Sequence, residues 1–281
     1  YDDAEAATWL HAALEAAFEP APTPQRTRIG INATLPAVPP GEVAGVLTPF
    51  GDFRTVKIKV GGDGSTLEAD LARIEAAIEY APEAKIRLDA NGSWSVDQAL
   101  WMARSLRDRG IEVEYFEQPC GSVNELVVLR AKLAEAELLL KIAADESIRK
   151  ADDPMAVVRA GAADILVLKV SPLGGIGPLL EVAQRAKLPV VLSSALETSV
   201  GIARGLRAAA ALETLEADCG LGTVALLTGD VVSHPLSPVD GWLDVADVTP
   251  EPELLDRWAA APERRDWWLA RLRACANQLG L

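Results

Sequence analysis

Three acidic residues recur along this chain at one interval. They are Asp89 in RLDANG, Glu117 in VEYFEQPC and Asp145 in IAADES, 28 residues apart from 89 to 117 and again from 117 to 145. Each ends a short apolar or β-branched run and is followed by a loop and then a helical pattern. One strand, one helix and two loops take roughly 25–30 residues, the share of one unit in a (β/α)8 barrel of about 250 residues. The interval therefore predicts three carboxylates side by side at the C-terminal ends of three consecutive parallel strands. Three such charges repel one another, and a cation among them relieves the repulsion. An all-oxygen ligand set suits magnesium, with manganese as the close alternative.

The rest of the chain keeps the same rhythm. Strands are expected over 28–34, 53–60, 85–89, 113–117, 139–145, 164–170 and 189–194, with DCGLG at 218–222 as the eighth and weakest. Helical patterns fill the intervals. Ser65 with Glu68 and Ser95 with Gln98 read as capping boxes, Asp153-Pro154 as a helix start, and Gly174 to Gly177 as the opening of the sixth helix. Strands alternating with helices predict an α/β fold with a parallel sheet, and eight units predict a TIM-type (β/α) barrel. A doubly wound sheet is the alternative, disfavoured because polar residues end strand after strand.

A helix is expected over 3–18, on which His11 reads as a surface or packing residue. Pro20, Pro22 and Pro24 form a stiff connector behind it. The expected organisation is an N-terminal piece over 1–27, the barrel over 28–230, and a helical tail over 231–281 carrying Trp258, Trp267 and Trp268.

Composition excludes several function classes. A net charge of −14 over 281 residues argues against nucleic acid and against anionic membrane surfaces. No apolar run approaches the length that spans a bilayer, and the start YDDAEAATWL lacks the features of a signal peptide. Cys120, Cys219 and Cys275 are odd in number and show no CxxC spacing, so they read as free thiols in a reducing compartment, the cytoplasm.

Strand alternation sorts the charged residues. Lys57 and Lys59 share one face of their strand, as do Arg87 and Asp89, and Tyr115 and Glu117. Lys169 brings a further charge to the end of strand six, 24 residues after Asp145. Taken singly, each has a plainer reading: a solvated strand edge, a helix cap, a snorkelling lysine. Five in register describe a cavity with a lysine on each wall and a divalent cation on its floor. A cation-bound carboxylate acidifies its α-carbon by stabilising the enediolate, and a lysine crowded by a second lysine and a metal can act as base.

KIK at 57–59, RLDANG at 87–92, EYFEQP at 114–119, AADES at 143–147 and the lysine of VLKVSPLGG together resemble the enolase superfamily, muconate-lactonizing subgroup. The resemblance runs from about Arg28 to Gly222. It implies a magnesium enzyme with Asp89, Glu117 and Asp145 as ligands and Lys59 and Lys169 as the acid/base pair. It also implies a capping domain built from both chain ends, of which only one helix of the N-terminal part is expected here. Around the ligands, Asn91 and Glu146 are expected as supports, Lys57 and Arg87 as groups that orient substrate or ligands, and Ser193 and Ser194 as substrate contacts or helix caps. The substrate class implied is a small-molecule carboxylate.

SSALETSVG at 193–201 and the short NATLPAVPP resemble the dehydratases of the subgroup, and no Asp-x-Asp pair ends strand eight as in its dipeptide epimerases. The alternatives are an N-acylamino acid racemase using the same two lysines, and a non-catalytic metal-binding scaffold, which the complete set of five residues disfavours. Nothing in the residues bears on oligomeric state.

Overall fold

The computed structural model describes residues 3–281 apart from Asp63 and Asp152. Seven parallel strands form one sheet in chain order: β2 (Ala33–Leu35), β3 (Thr55–Lys59), β4 (Lys85–Asp89), β5 (Tyr115–Glu117), β6 (Ile142–Ala144), β7 (Ile165–Leu168) and β8 (Val190–Leu192). Between them run α2 (Val43–Leu47), α3 (Leu67–Tyr80), α4 (Val96–Asp108), α5 (Val123–Glu135), α6 (Glu146–Arg149), α7 (Ala156–Arg159), α8 (Val170–Leu173) and α9 (Ile176–Ala186). Helix α10 (Ser199–Ala211) follows β8, and α1 (Asp3–Phe18) precedes the sheet.

The sequence accounts for this order. Val56 and Ile58 on β3, Ile86 and Leu88 on β4 and Phe116 on β5 alternate with the charged residues and are buried in the main core. Burying each such side chain contributes about 1.5–3 kcal/mol, so a one-residue slip would turn this apolar set inward and the charges outward. Helix α4 starts at the expected Ser95–Gln98 capping box, and Ser122 with Glu125 caps α5 in the same way. Thr66, not Ser65, caps α3, because the Ser65 hydroxyl is turned to Asp70 Oδ1 at 2.7 Å. Asp153 does not begin a helix; its carboxylate receives the Met155 amide and α7 begins at Ala156.

Two expected strands differ. The run over 28–34 divides: β1 (Arg28–Gly30) pairs antiparallel with β9 (Trp242–Asp244), and only Ala33–Leu35 joins the parallel sheet. The expected tail is therefore not wholly helical; β9 comes before α11 (Pro252–Arg257) and α12 (Pro262–Leu279), and α12 packs on α1. The eighth strand is reduced to Cys219 and Gly220, which make single parallel bridges to Ile31 on one side and Ser193 on the other. Four backbone hydrogen bonds of 2.7–3.1 Å hold this seam. Glycines at 220 and 222 and the lack of β-branched residues explain why no longer strand forms.

Inside the curve of the sheet, Tyr115, Ala143, Ile165, Val167 and Val191 form a small second core. The wall made by β3 and β4 is charged instead, with Lys57 and Arg87 both buried.

Candidate active site

Register fixes the site. Lys59 pairs with Asp89 and Asp89 with Glu117 across β3, β4 and β5, so three charged groups reach the C-terminal ends of their strands in one layer. Asp145 lies one residue beyond β6 and Lys169 one beyond β7. All three carboxylates are about 1 % exposed.

Each acid is held by a lysine. Lys59 Nζ donates to Asp89 Oδ2 at 2.5 Å and to Asn91 Oδ1 at 2.9 Å. Lys57 Nζ donates to both oxygens of Glu117 at 3.0 and 3.2 Å and lies 3.3 Å from Asp89 Oδ2. Lys169 Nζ donates to Asp145 Oδ2 at 2.6 Å. Lys59 is the most open of these, with a third of its side chain exposed, and Lys57 is nearly enclosed.

The electrostatics follow from burial and crowding. Burial and then the charge of Asp89 push the Glu117 carboxyl well above the usual carboxylate range, against the pull of Lys57. Burial also raises Asp145, partly offset by Lys169. For Asp89, burial acts upward, but Lys57 and Lys59 together outweigh it and hold the group low. Burial opposes charge on Lys57, yet Glu117 and Asp89 keep its ammonium above the ordinary range.

Among the described residues, no three His, Cys, Asp or Glu side chains are drawn into a finished metal-holding group. The donor set nonetheless fits a hard divalent cation: three enclosed carboxylates, oxygen only, two of them raised by burial and neighbouring charge. Among the described residues Asp145 Oδ1 accepts no hydrogen bond, and Arg149 Nε stands 3.3 Å from it.

Of the expected supporting residues, Asn91 and Glu146 lie together at the rim. Asn91 joins Lys59 to Glu146 Oε1 (3.3 Å), and Glu146 also receives Arg149 Nη2 at 2.8 Å. Ser194 Oγ meets Thr223 Oγ1 at 2.6 Å, and Ser193 lies beside Gly220, where a side chain would collide with the Ser193 hydroxyl. Arg87 is not with them. It is fully buried one layer deeper, donating to Glu114 Oε2 (2.6 Å), the Asp218 carbonyl (2.6 Å) and Asn32 Oδ1 (3.2 Å), and it stacks over Tyr115. Arg149, Gln118, Thr223 and Glu15 were not singled out by sequence. Only the QP following Glu117 and the acid-rich DES turn could have drawn attention to the first two.

Glu15, on α1, fills the start of α9. Its oxygens accept the Ile176 and Gly177 amides at 2.9 and 2.8 Å and Arg204 Nη2 at 3.0 Å. The glycine run over 174–177 thus receives a carboxylate of the chain itself. His11 makes the packing contact expected of it, with Nδ1 2.6 Å from the Gly174 carbonyl.

A parallel α/β sheet that ends in three carboxylates between two lysines defines a class: enzymes that take a proton from the carbon next to a carboxylate. Comparison with known proteins identifies the family. Residues 44–250 match the enolase C-terminal domain-like family, and the chain belongs to it. It is 52 % identical over 275 residues to an o-succinylbenzoate synthase of Mycolicibacterium smegmatis, covering 98 % of this chain and 83 % of that protein. It is 51 % identical over 275 residues to the Mycobacterium ulcerans protein of the same name, covering 98 % and 81 %. Among solved structures, 2-chloromuconate cycloisomerase from Rhodococcus opacus aligns at 26 % identity with a TM-score of 0.73, over 84 % of this chain and 67 % of that one.

Proposed function

We propose that this protein is an o-succinylbenzoate synthase, a lyase that removes water from 2-succinyl-6-hydroxy-2,4-cyclohexadiene-1-carboxylate to give 2-succinylbenzoate for menaquinone synthesis. The family and the identity to curated relatives of that name support the reaction. The observation that carries the mechanism is the placement of Lys59 and Lys169 on opposite sides of one carboxylate cluster, Lys59 against Asp89 and Lys169 against Asp145.

Asp89, Glu117 and Asp145 would hold a divalent cation, magnesium or manganese. When bound, it fixes the substrate carboxylate and offsets the charge that builds there as the α-proton leaves. The oxygens that would hold the cation are the ones on which Lys57, Lys59 and Lys169 now rest. Lys59, the more open of the pair, takes the α-proton and returns a proton to the departing hydroxyl on the same face. Lys169 stays charged and steadies the carboxylate from the other face. Asn91, Glu146 and Arg149 hold the rim, and Lys57 balances Glu117 from beneath. Ser193, Ser194 and Thr223 would contact the succinyl arm, a role supported by their meeting at the ends of β8 and of the bridged Cys219–Gly220 segment.

In the same reading, the body over 28–230 closes as a TIM-type barrel, supported by the Cys219 and Gly220 bridges. The pieces over 1–27 and 231–281 cover it as part of a cap. Free cysteines at 120, 219 and 275 support a cytoplasmic setting.

The test is ultraviolet turnover of the cyclohexadiene substrate with magnesium, for the parent, Lys59→Ala and Lys169→Ala. Dehydration by the parent and a loss of at least about 10²-fold in each variant is expected, the scale of a lost acid/base group. No dehydration by folded, magnesium-supplied parent would overturn the reading. Racemisation of N-succinylamino acids uses the same lysine pair, and α-proton exchange in deuterated water measures it alongside.

A further inference from the structure

Gln118 follows Glu117 directly and has no exposed surface. Its backbone lies in the left-handed region at φ 38°, which a non-glycine residue adopts at a cost. Every hydrogen-bonding position of its amide is used. Oε1 accepts the Asp145 and Ser147 amides at 3.1 and 3.0 Å, and Nε2 donates to the Cys120 carbonyl at 2.9 Å and Ser147 Oγ at 2.7 Å. The main chain of the same residue extends the set. Its amide donates to the Ala143 carbonyl at 2.8 Å, and its carbonyl accepts from Gly92, in the loop after Asp89, at 2.6 Å.

One residue therefore bonds to the loops of all three acids: covalently to Glu117, through its carbonyl to the turn after Asp89, and through its side chain to the backbone of Asp145. We infer that Gln118 is a positioning residue that sets the spacing of the three carboxylates for a divalent cation, without touching the cation or the substrate. This rests on the metal reading given above. The left-handed backbone goes with a side chain that reaches from the end of β5 to the Asp145 and Ser147 amides beyond β6. Glutamine suits the position because it supplies two acceptors and two donors on one neutral group, adding no charge beside buried acids. Glutamate could not donate to the Cys120 carbonyl, and asparagine is one methylene short.

The experiment measures manganese binding by calorimetry and amide hydrogen exchange of the metal-free protein, for the parent, Gln118→Ala, Ser147→Ala and Leu129→Ala. Leu129 is a buried residue of α5 outside the site and serves as a destabilised control. Groups that orient metal ligands typically contribute 10–100-fold in affinity. A 10–100-fold weaker manganese affinity in Gln118→Ala, a smaller loss in Ser147→Ala and none in Leu129→Ala would support the inference. So would faster exchange at the Asp145 and Ser147 amides in metal-free Gln118→Ala. Should Gln118→Ala not fold, Ser147→Ala carries the same comparison, because it removes one of the four bonds. Parent-like affinity in the folded glutamine or serine variant would overturn the inference while leaving the metal reading intact. A parent that binds no manganese would overturn both.

Discussion

Arg87 lies two residues before Asp89 on the same face of β4, and that step changes its task. Pointing inward made it a candidate to orient substrate; depth removes it from the cavity and sets it against Glu114, Asn32 and the Asp218 carbonyl. Arg87→Met should therefore lower stability by about 2–4 kcal/mol, through several buried polar partners left unmet. In a denaturant titration paired with the turnover assay, KM of the remaining folded enzyme should stay within a few-fold of the parent. A large rise in KM with little loss of stability would return Arg87 to the substrate. At this scale, the lysines and acids were legible because two simple rules located them, the two-residue alternation of a strand and the repeat of the unit. Gln118 was not, since its role depends on a left-handed turn joining loops whose backbones approach only in the fold. Arg149 was hidden for a like reason: its link to Asp145 and Glu146 follows helical spacing on a helix of four residues, too short to leave a periodic pattern.

Between elements, α1 docks through polar contacts as well as packing. Glu15 caps α9 from another part of the chain, supplying the oxygens that a residue at the N-cap would ordinarily provide; Gly175, at that position, has none. The negative group also faces the positive end of the α9 dipole and Arg204. Glu15→Ala is expected to cost about 1–3 kcal/mol, the range of a lost cap joined to a lost charged hydrogen bond, with faster exchange at the Ile176 and Gly177 amides. Stability within about 0.5 kcal/mol of the parent would mean that the Glu15 contacts add little to the docking of α1. Most of the strand and helix order was legible, because apolar periodicity and capping residues are local. The division of 28–34 into β1 and β2 was not, since its cause is β9, more than two hundred residues away.

For the molecule as a whole, the free thiols report on integrity. Burial pushes both Cys120 and Cys219 up to about 12, so below that pH the native forms stay protonated as well as covered. Iodoacetamide at pH 8 should label neither in the native protein and both in denaturant, with labelling tracking the unfolding transition; rapid native labelling would contradict the packing. The sign for stability is fixed too. A thiol raised in the folded state stabilises fully below its unfolded value near 9, and that contribution fades as pH rises from there toward about 12. Cys219 sits at the seam, where two single bridges replace a strand. In sheet order β5 is the middle of the seven strands, and the acids project from β4, β5 and the end of β6. The carboxylates stand on the continuous ladder, while Cys219 and Gly220 join the strands on either side of them by single bridges. A change at the bridged edge would leave the spacing of the acids to the unbroken pairing of β3 through β6.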